Sequence, residues 1–456
     1  MVGLGPKRRR LSMRPLSTLG WCVFVTISSL VVESGVSRAS TYTVNTTADS
    51  HDASPGDDVC GDPSGLCSLR AAIEESEAHA DYDTIQLAGD HYVLSFGSLT
   101  FNVGNVDVFG NGSTIDANQA SRVIFVNIPS SNDVTLYTLT IENGRGGNLE
   151  PGGGVYVYSG TFYGYEISIV NNQTTSVQGG GIAVGGYLRC NDCTIGGNTT
   201  STRTSGGAQY SGGGVFVYDG GEVALTRTTV SGNTAVRGGG IAGGGILTLL
   251  NTTVTGNRAI AGGGGLKTMT NLAQWTIAYS TITNNQANSP GTNAEPNLGG
   301  GILHTMGSMR IGKTIIAGNS DNRTYGDPNF SPDCATTSTT GASGPYTVNE
   351  SIESDWDNII GNIGDLCYRY DVNGGSLGAY DAWGYGQYPL SVPLGPLQNN
   401  GGSVLTNAPL PGSIAIDFAS SGNPTGDGIW DCGGVDATWT GRPQGYACDS
   451  GSVETH

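Results

Sequence analysis

One phrase recurs along the chain between Val134 and Asn319. A run of glycines and an apolar residue is followed, after a variable loop, by apolar-x-apolar, a Ser/Thr position, a β-branched residue, two small residues and an Asn. The closing Asn falls at Asn172, Asn198, Asn233, Asn257, Asn285 and Asn319, at spacings of 26, 35, 24, 28 and 34 residues. Strand register is kept while the loops absorb the insertions. No single unit of this kind can bury its own apolar face, so neighbours must stack, and the chain is constrained to a solenoid with one coil per phrase.

Stacking places each offset of the phrase in one line. Ten residues before the closing Asn stand Phe162, Leu188, Val223, Leu247, Trp275 and Met309; three before it stand Ile169, Ile195, Val230, Val254, Ile282 and Ile316. Eight before it the column is Gly164, Cys190, Leu225, Leu249, Ile277 and Ile311. Apolar residues separated by one outward residue have the period of a strand. After the glycine runs, Val155, Ile182, Val215, Ile241, Leu266 and Ile302 supply a further inward column. Glycine allows backbone conformations closed to other residues and a close approach of coils, which accommodates 75 glycines in an ordered protein. Asn tolerates a left-handed bend and can form amide ladders between coils. The expected fold is all-β, a right-handed parallel β-helix of roughly eight or more coils, about 40 Å long at a strand spacing of about 4.8 Å.

Residues 1–39 carry a basic start, Lys7 to Arg10 with Arg14, then the apolar run Leu19 to Val32 and small residues around Ala39. This reads as a signal peptide, with an uncleaved anchor as the alternative. The apolar run is shorter than the roughly 20 residues a membrane span needs, and no insertion after leader removal is expected. Without residues 1–39, the 20 basic and 38 acidic residues become 14 and 37, a formal charge of -23. Such a surface repels nucleic acid and anionic polymers unless cations bridge them, so no nucleic-acid partner is expected.

Of nine Cys, Cys22 lies in the leader, and the even remainder in an exported chain favours disulfides. Proximity pairs Cys60 with Cys67, Cys334 with Cys367, and Cys432 with Cys448. Cys190 and Cys193 share one coil and read as core packing or a local bridge. A zinc site needs about four ligands, and no second Cys pair or His lies in phase with them, so no metal is assigned there.

Both ends of a solenoid need capping. Ser68 can cap a helix near residues 68–79 with Leu69, Ala72 and Ile73 on its apolar face. The string Cys67-Ser68-Leu69-Arg70-Ala71-Ala72-Ile73 resembles the N-terminal region of bacterial secreted proteins named for the motif CSLREA. It departs by Ala71, where the family has the Glu of a capping box, at an expected cost below about 1 kcal/mol. Asn358 to Asn362, Leu394 to Gly402, Leu410 to Asp417 and Arg442 to Gly451 resemble the terminal module of the same proteins. The Gly/Asn phrases are similar to repeats of polymorphic outer-membrane adhesins. These resemblances imply a right-handed parallel β-helix that is secreted or surface-associated. In that family a variable surface anchor usually follows the module, and none is expected here because the sequence ends at His456. The organisation expected is 1–39 signal peptide, 40–105 N-terminal cap, 106–320 repeats, and 321–456 terminal coils with a disulfide-linked cap module.

Two function classes fit this reading. The first is a non-catalytic binding, adhesion or structural protein directed at polysaccharide or cell-surface glycan. The second is a carbohydrate-active enzyme, a polysaccharide lyase or glycoside hydrolase, since such enzymes share the fold; fold alone cannot choose between them. Between Arg145 and Ser320 the carboxylates are Glu150, Glu166, Asp192, Asp219, Glu222 and Glu295, sparse for a groove that must hold a catalytic pair. His304 follows an apolar stretch and reads as structural. No catalytic residue is assigned.

Six residues before the closing Asn, the column holds Thr138, Glu166, Asp192, Arg227, Asn251, Tyr279 and Lys313. Glu166, Asp192 and Arg227 on successive coils, with Tyr163, Tyr165 and Arg189 nearby, form a candidate ligand patch. Unless Arg189 and Arg227 compensate, the carboxylates would repel, raising a pKa or recruiting a cation such as Ca²⁺. The alternative is a solvated column of mixed charge. A second candidate is an aromatic patch, Tyr156 and Tyr158 with Phe216 and Tyr218, separated by a shallow gap at Ala183 and Gly185; loop packing is its alternative. The Thr column Thr194, Thr229, Thr253 and Thr281 suggests an ice-ordering array, but the irregular loops argue against it. Asp49, Asp52, Asp57, Asp58 and Asp62 offer oxygen ligands for Ca²⁺ without the spacing of a defined calcium loop.

Overall fold

A computed structural model describes residues 39–147, 150–175, 178–200, 211–288, 299–324, 326–327, 330–336, 352–363, 367, 369–371, 380–420 and 432–455. Of the expected leader, only Ala39 lies within them. Each coil runs through three main faces in turn, and a two-residue strand such as Gln173–Thr174, part of a five-stranded parallel sheet, precedes the next glycine run. The first, entered from the glycine run, carries Val155–Ser159, Ile182–Val184, Val215–Val217, Ile241–Gly243, Leu266–Thr268 and Ile302–His304, stacked in parallel. This glycine face belongs to a nine-stranded sheet. The long face follows, with Thr161–Tyr165, Tyr187–Asn191, Glu222–Thr226, Ile246–Leu250, Gln274–Ala278 and Ser308–Gly312. A corner then leads to the short face, Ser168–Val170, Thr194–Gly196, Thr229–Ser231, Thr253–Thr255, Thr281–Thr283 and Ile315–Ala317. Parallel crossovers of this kind take the right hand, and the chain is a right-handed parallel β-helix.

The interior follows the sequence columns. Ile169, Ile195, Val230, Val254, Ile282 and Ile316 are register partners in one file, and all are 0% exposed. Phe162, Leu188, Val223, Leu247, Trp275 and Met309 form a second buried file on the long face. Burying each such side chain contributes about 1.5–3 kcal/mol.

The Asn residues form a continuous ladder. Each side-chain amide donates to the Oδ1 of the next, at 3.1 Å from Asn172 to Asn198, 3.0 Å from Asn198 to Asn233, and 2.9 Å for the later rungs. The left-handed residue of this corner is the one before, such as Asn171, Gly197, Gly232 or Asn284. The ladder Asn residues point inward, where buried amides must be paired. In the glycine runs, Gly152 has φ +68°, and a Cβ on Gly153 would strike the Gly180 carbonyl of the next coil. The backbone there packs too closely for any side chain.

At the N-terminal end, Leu69–Ser76 forms the capping helix, with Ser68 Oγ accepting from the Ala71 amide at 3.0 Å. The helix stops three residues short of the expected His79. The Glu77 carboxylate is engaged instead by the backbone amides of Asn102, Val103 and Gly104, which ties this end to the first coils. Arg70 is buried and grips Asp49 through Nε at 2.7 Å and Nη2 at 3.1 Å. The disulfides are Cys60–Cys67, Cys190–Cys193, Cys334–Cys367 and Cys432–Cys448.

The C-terminal module does more than close the end. Leu390 and Val392 pack beside Ile315 and Ile359 at the last coils. From there the chain runs back along the flank. The Leu405 carbonyl meets Thr229 and the Val435 carbonyl meets Asn251. Ser452 bonds Thr253 and Thr281, and Ser450 reaches the Asp357 carbonyl. The short face and its corner are sealed along much of their length.

Candidate functional site

The charged column six residues before the closing Asn is a corner in the left-handed conformation. Thr138, Glu166, Asp192, Arg227, Asn251, Tyr279 and Lys313 all have φ between +46° and +59°. This conformation costs a non-glycine residue about 1–2 kcal/mol. Stacked hydrogen bonds hold it: the amides of Glu166, Asp192 and Arg227 each donate at 3.0 Å to the Asn191, Thr226 and Leu250 carbonyls of the following coil.

The structure divides the six-residue ligand patch. Arg227 forms a two-pronged pair with Asp192, Nε to Oδ1 at 2.9 Å and Nη2 to Oδ2 at 2.8 Å, and its guanidinium lies 4.1 Å from the Trp439 ring centroid. Asp192 is buried in this sandwich. Further along, Lys313 Nζ donates to the Ser420 carbonyl at 2.6 Å, and Arg442 stands 4.7 Å from the Tyr279 ring centroid. The column is thus largely a docking strip for the C-terminal module rather than a solvated row. Glu166 sits at its edge, 3.4 Å from Thr138 Oγ1 and 3.5 Å from Ser403 Oγ. Arg189 takes no part in compensating the carboxylates: its Nη2 donates to the Tyr187 hydroxyl at 2.7 Å.

Tyr163, Tyr165 and Arg189 lie on the open long face, where they join residues that sequence reasoning missed. Tyr163 and Tyr187 meet edge to face, with centroids 6.4 Å apart, and Arg189 lies 5.7 Å from the Tyr187 ring centroid. Phe109, Tyr137 and Tyr165 are register partners that stack at 4.6 and 5.3 Å with near-parallel planes. Their ring faces cover one another, so this stack stiffens the sheet and presents edges outward. Beside it, the Tyr82 hydroxyl bonds Asp107 at 3.2 Å and Asp133 at 3.4 Å. Burial, offset by hydrogen bonds from Tyr82 and Thr135, raises the pKa of Asp107, and the neighbouring Asp133 adds to the rise. Burial and the same two carboxylates raise that of Tyr82. A signal existed for Tyr137, which stands seven residues before Gly144 as Tyr165 stands seven before Asn172. A carboxylate count beginning at Arg145 passes over Asp107 and Asp133.

On the glycine face, Tyr156 and Tyr218 approach to 6.3 Å, closing the expected gap above Ala183. Phe216 and Tyr218 pack edge to face at 4.9 Å, Phe216 is buried, and Tyr158 is exposed. Arg122 lies 5.2 Å from the Tyr156 ring centroid and 5.4 Å from that of Phe125. His304 is wholly buried with Nδ1 3.0 Å from Thr268 Oγ1, and burial pushes its pKa down to about 4. It stays neutral and structural.

The acidic N-terminal loop uses its carboxylates locally. Asp49 accepts from the Ser95 and Phe96 amides, Asp52 from Ser54 and Gly61, Asp57 from Val59, and Asp62 from Ser64 and Leu66. Among the described residues, Asp58, Glu75 and His79, and separately His91, Asp116 and Glu142, bring possible ligand atoms within 4.8 Å of one another. No described helix is long and apolar enough to cross a membrane.

No family model matches the chain, and no curated protein matches it in sequence. Among solved structures, a crystal structure of pectate lyase Pel9A is similar with a TM-score of 0.49 at 13% sequence identity, covering 92% of this chain and 98% of that one.

Proposed function

We propose that this protein is exported and binds glycans through the outward surface of its long face, acting in binding or adhesion. The observation that carries the reading is the Tyr163–Tyr187 pair with Arg189 on a rigid, open sheet. Aromatic rings offer apolar faces with polar tips, which suits the C–H faces and hydroxyls of a sugar. Arg189 adds donors in a fixed fork, and Asp107 and Asp133 add acceptors. Four disulfides support an oxidising compartment, and the resemblance to CSLREA-motif proteins supports export by a bacterium. The test is a polysaccharide panel scored for retention. Binding that disappears in the Tyr163→Ala/Tyr187→Ala double variant supports the reading, and no retention of any glycan overturns it.

One observation favours the competing reading, a carbohydrate-active enzyme. Asp107 and Asp133 share the Tyr82 hydroxyl, and Asp107 holds its proton more tightly than an ordinary carboxylate. Glycoside hydrolysis uses a pair of carboxyl groups, one of which holds its proton to act as the acid. Release of reducing ends or unsaturated products from the same panel, lost in Asp107→Asn, would replace the binding reading with this one.

A further inference from the structure

On the glycine face, the coil Ile241-Ala242-Gly243-Gly244-Gly245 carries almost no side chains. Its neighbours carry large ones. Ala242 lies in register between Phe216 and Lys267, and Gly243 between Val217 and Thr268. The result is a slot one coil wide. One wall is Tyr218 above the buried Phe216, the other is Met269 and Thr270, and between them lies a cavity of about 290 Å³ that Gly244 also lines. Two coil spacings separate the backbones that carry the walls, about 9.6 Å. A ring in van der Waals contact with both sides needs about 3.5–4.0 Å to each, so the slot admits one ring, and a pyranose chair, thicker than a flat ring, fills it.

The slot has a polar end. Thr270 Oγ1 donates to Asp219 Oδ1 at 2.8 Å, linking the two walls across the glycine coil. A Cβ on Gly244 would strike both of those oxygens, so the contact exists because that coil has a glycine there. Asp219 is exposed and can accept hydroxyl hydrogens through its second oxygen. At the rim, the Tyr218 hydroxyl donates to Gln178 Oε1 at 3.2 Å, leaving the Gln178 amide as a donor. A carboxylate and an amide beside an aromatic wall suit neighbouring hydroxyls of a sugar, while Asp219 and a chain charge of -18 disfavour a uronate.

We propose that this slot is a binding site for one neutral pyranose residue, separate from the long face. Its volume sits at the lower end for small-molecule sites, about 300 Å³, as a single-ring ligand requires. Saturation-transfer NMR of the purified protein with methyl glucopyranoside, methyl mannopyranoside, methyl galactopyranoside and methyl glucuronide is the test. At least one neutral glycoside should receive saturation on its ring protons, and the glucuronide none. Asp219→Asn should weaken that glycoside about tenfold, the scale of one hydrogen bond to a charged group. Tyr218→Ala should abolish the signal, as should Met269→Trp, which fills the slot from the opposite wall without removing the aromatic one. Tyr446→Ala, a fully exposed tyrosine elsewhere, should leave it unchanged. Absence of signal from every neutral glycoside, an equal signal from the glucuronide, or binding that survives both Asp219→Asn and Met269→Trp overturns the proposal. Carrying out the same measurements in the Tyr163→Ala/Tyr187→Ala background, which leaves this slot intact, separates them from glycan binding by the long face.

Discussion

Outward residues of the short face and of the long face come from the same coils, on either side of the left-handed corner, but the C-terminal segment covers the short face from Thr229 to Thr281 and, on the long face, only corner-side residues such as Leu250 and Ala278 among those described. Thr229, Thr253 and Thr281 are buried under Leu405 and Ser452. Tyr163, Tyr165 and Tyr187 remain half-buried and Arg189 exposed. The two surfaces differ in what they offer. Short hydroxyl side chains and small residues make a flat strip onto which backbone carbonyls can dock. Tyrosines and charged side chains on the long face stand too tall and too hydrated for a strand to lie against. A regular Thr column is therefore a seat for the chain itself here, while the irregular, aromatic column is what stays free for a partner.

The largest expected effect breaks that seat. Arg442 and Glu454 pair at 2.9 Å with side chains 1% and 0% exposed, and Arg442 also donates to the Asp449 and Gly451 carbonyls. Removing one partner of such a pair costs about 3–5 kcal/mol, because the other charge is left buried. Arg442→Ala should lower the urea midpoint accordingly and make the C-terminal module the first site of proteolysis. A variant that resists protease as the parent does would show that the module is held by its apolar contacts alone.

A smaller effect is expected at the end of the Asn ladder. Asp333 accepts from the Asn319 amide and side chain through Oδ1 at 2.9 Å and from the Asn362 amide through Oδ2 at 2.6 Å. Both oxygens must accept, so Asp333→Asn would turn an N–H toward the Asn362 amide, at a cost of about 1–3 kcal/mol. Burial pushes the Asp333 pKa up to about 7 in spite of these donors. The unfolded value is about 3.9, so the folded state holds the proton more tightly between the two. Stability then falls as pH rises from about 4 to about 7. Urea midpoints at acid and neutral pH should show this slope in the parent and a flatter one in Asp333→Asn; equal slopes would remove Asp333 from the account.

The pattern of what could be read from the letters follows the same division. Stacked coils repeat one offset per rung, so Ile195, Val230, Val254 and Ile282 announce their file, and Asn198 to Asn285 their ladder. Disulfides between near neighbours such as Cys60 and Cys67 were legible for the same local reason. Residues 390–455 have no repeat, and they meet the coils across long stretches of chain: Thr229 with Leu405, Thr253 with Ser452. Nothing in the periodicity of the coils signals such contacts. The coil periodicity alone therefore places Asp192 and Arg227 in an outward patch, whereas in the fold Trp439 lies over the Arg227 guanidinium. The expected compensation by Arg227 is present, but as part of the docking strip.

Trp439 offers an intermediate test. Its ring lies over the Arg227 guanidinium, an arrangement worth about 0.5–2 kcal/mol. Trp439→Ala should lower stability within that range and expose the Asp192–Arg227 pair without releasing the module, which Arg442 still holds. If the variant gains affinity for a glycan the parent does not retain, the covered corner carries a latent site; unchanged binding confirms that the strip serves docking alone.

The smallest effect on stability, and the largest on function, is expected at Tyr163 and Tyr187, on which no described segment docks. Tyr163 and Tyr187 form a cross-strand aromatic contact, and such pairs contribute only about 0.2–1 kcal/mol. Tyr163→Ala/Tyr187→Ala should leave the urea midpoint nearly in place, since the inward neighbours Phe162 and Leu188 still carry the core. Glycan retention should nevertheless vanish, because ring faces rather than backbone supply the contact. A variant that lost stability on the scale of Arg442→Ala would mean that the long-face aromatics are structural, like the Phe109–Tyr137–Tyr165 stack. The contrast between a sealed flank and an open one would then lie in what each packs against rather than in what each leaves available.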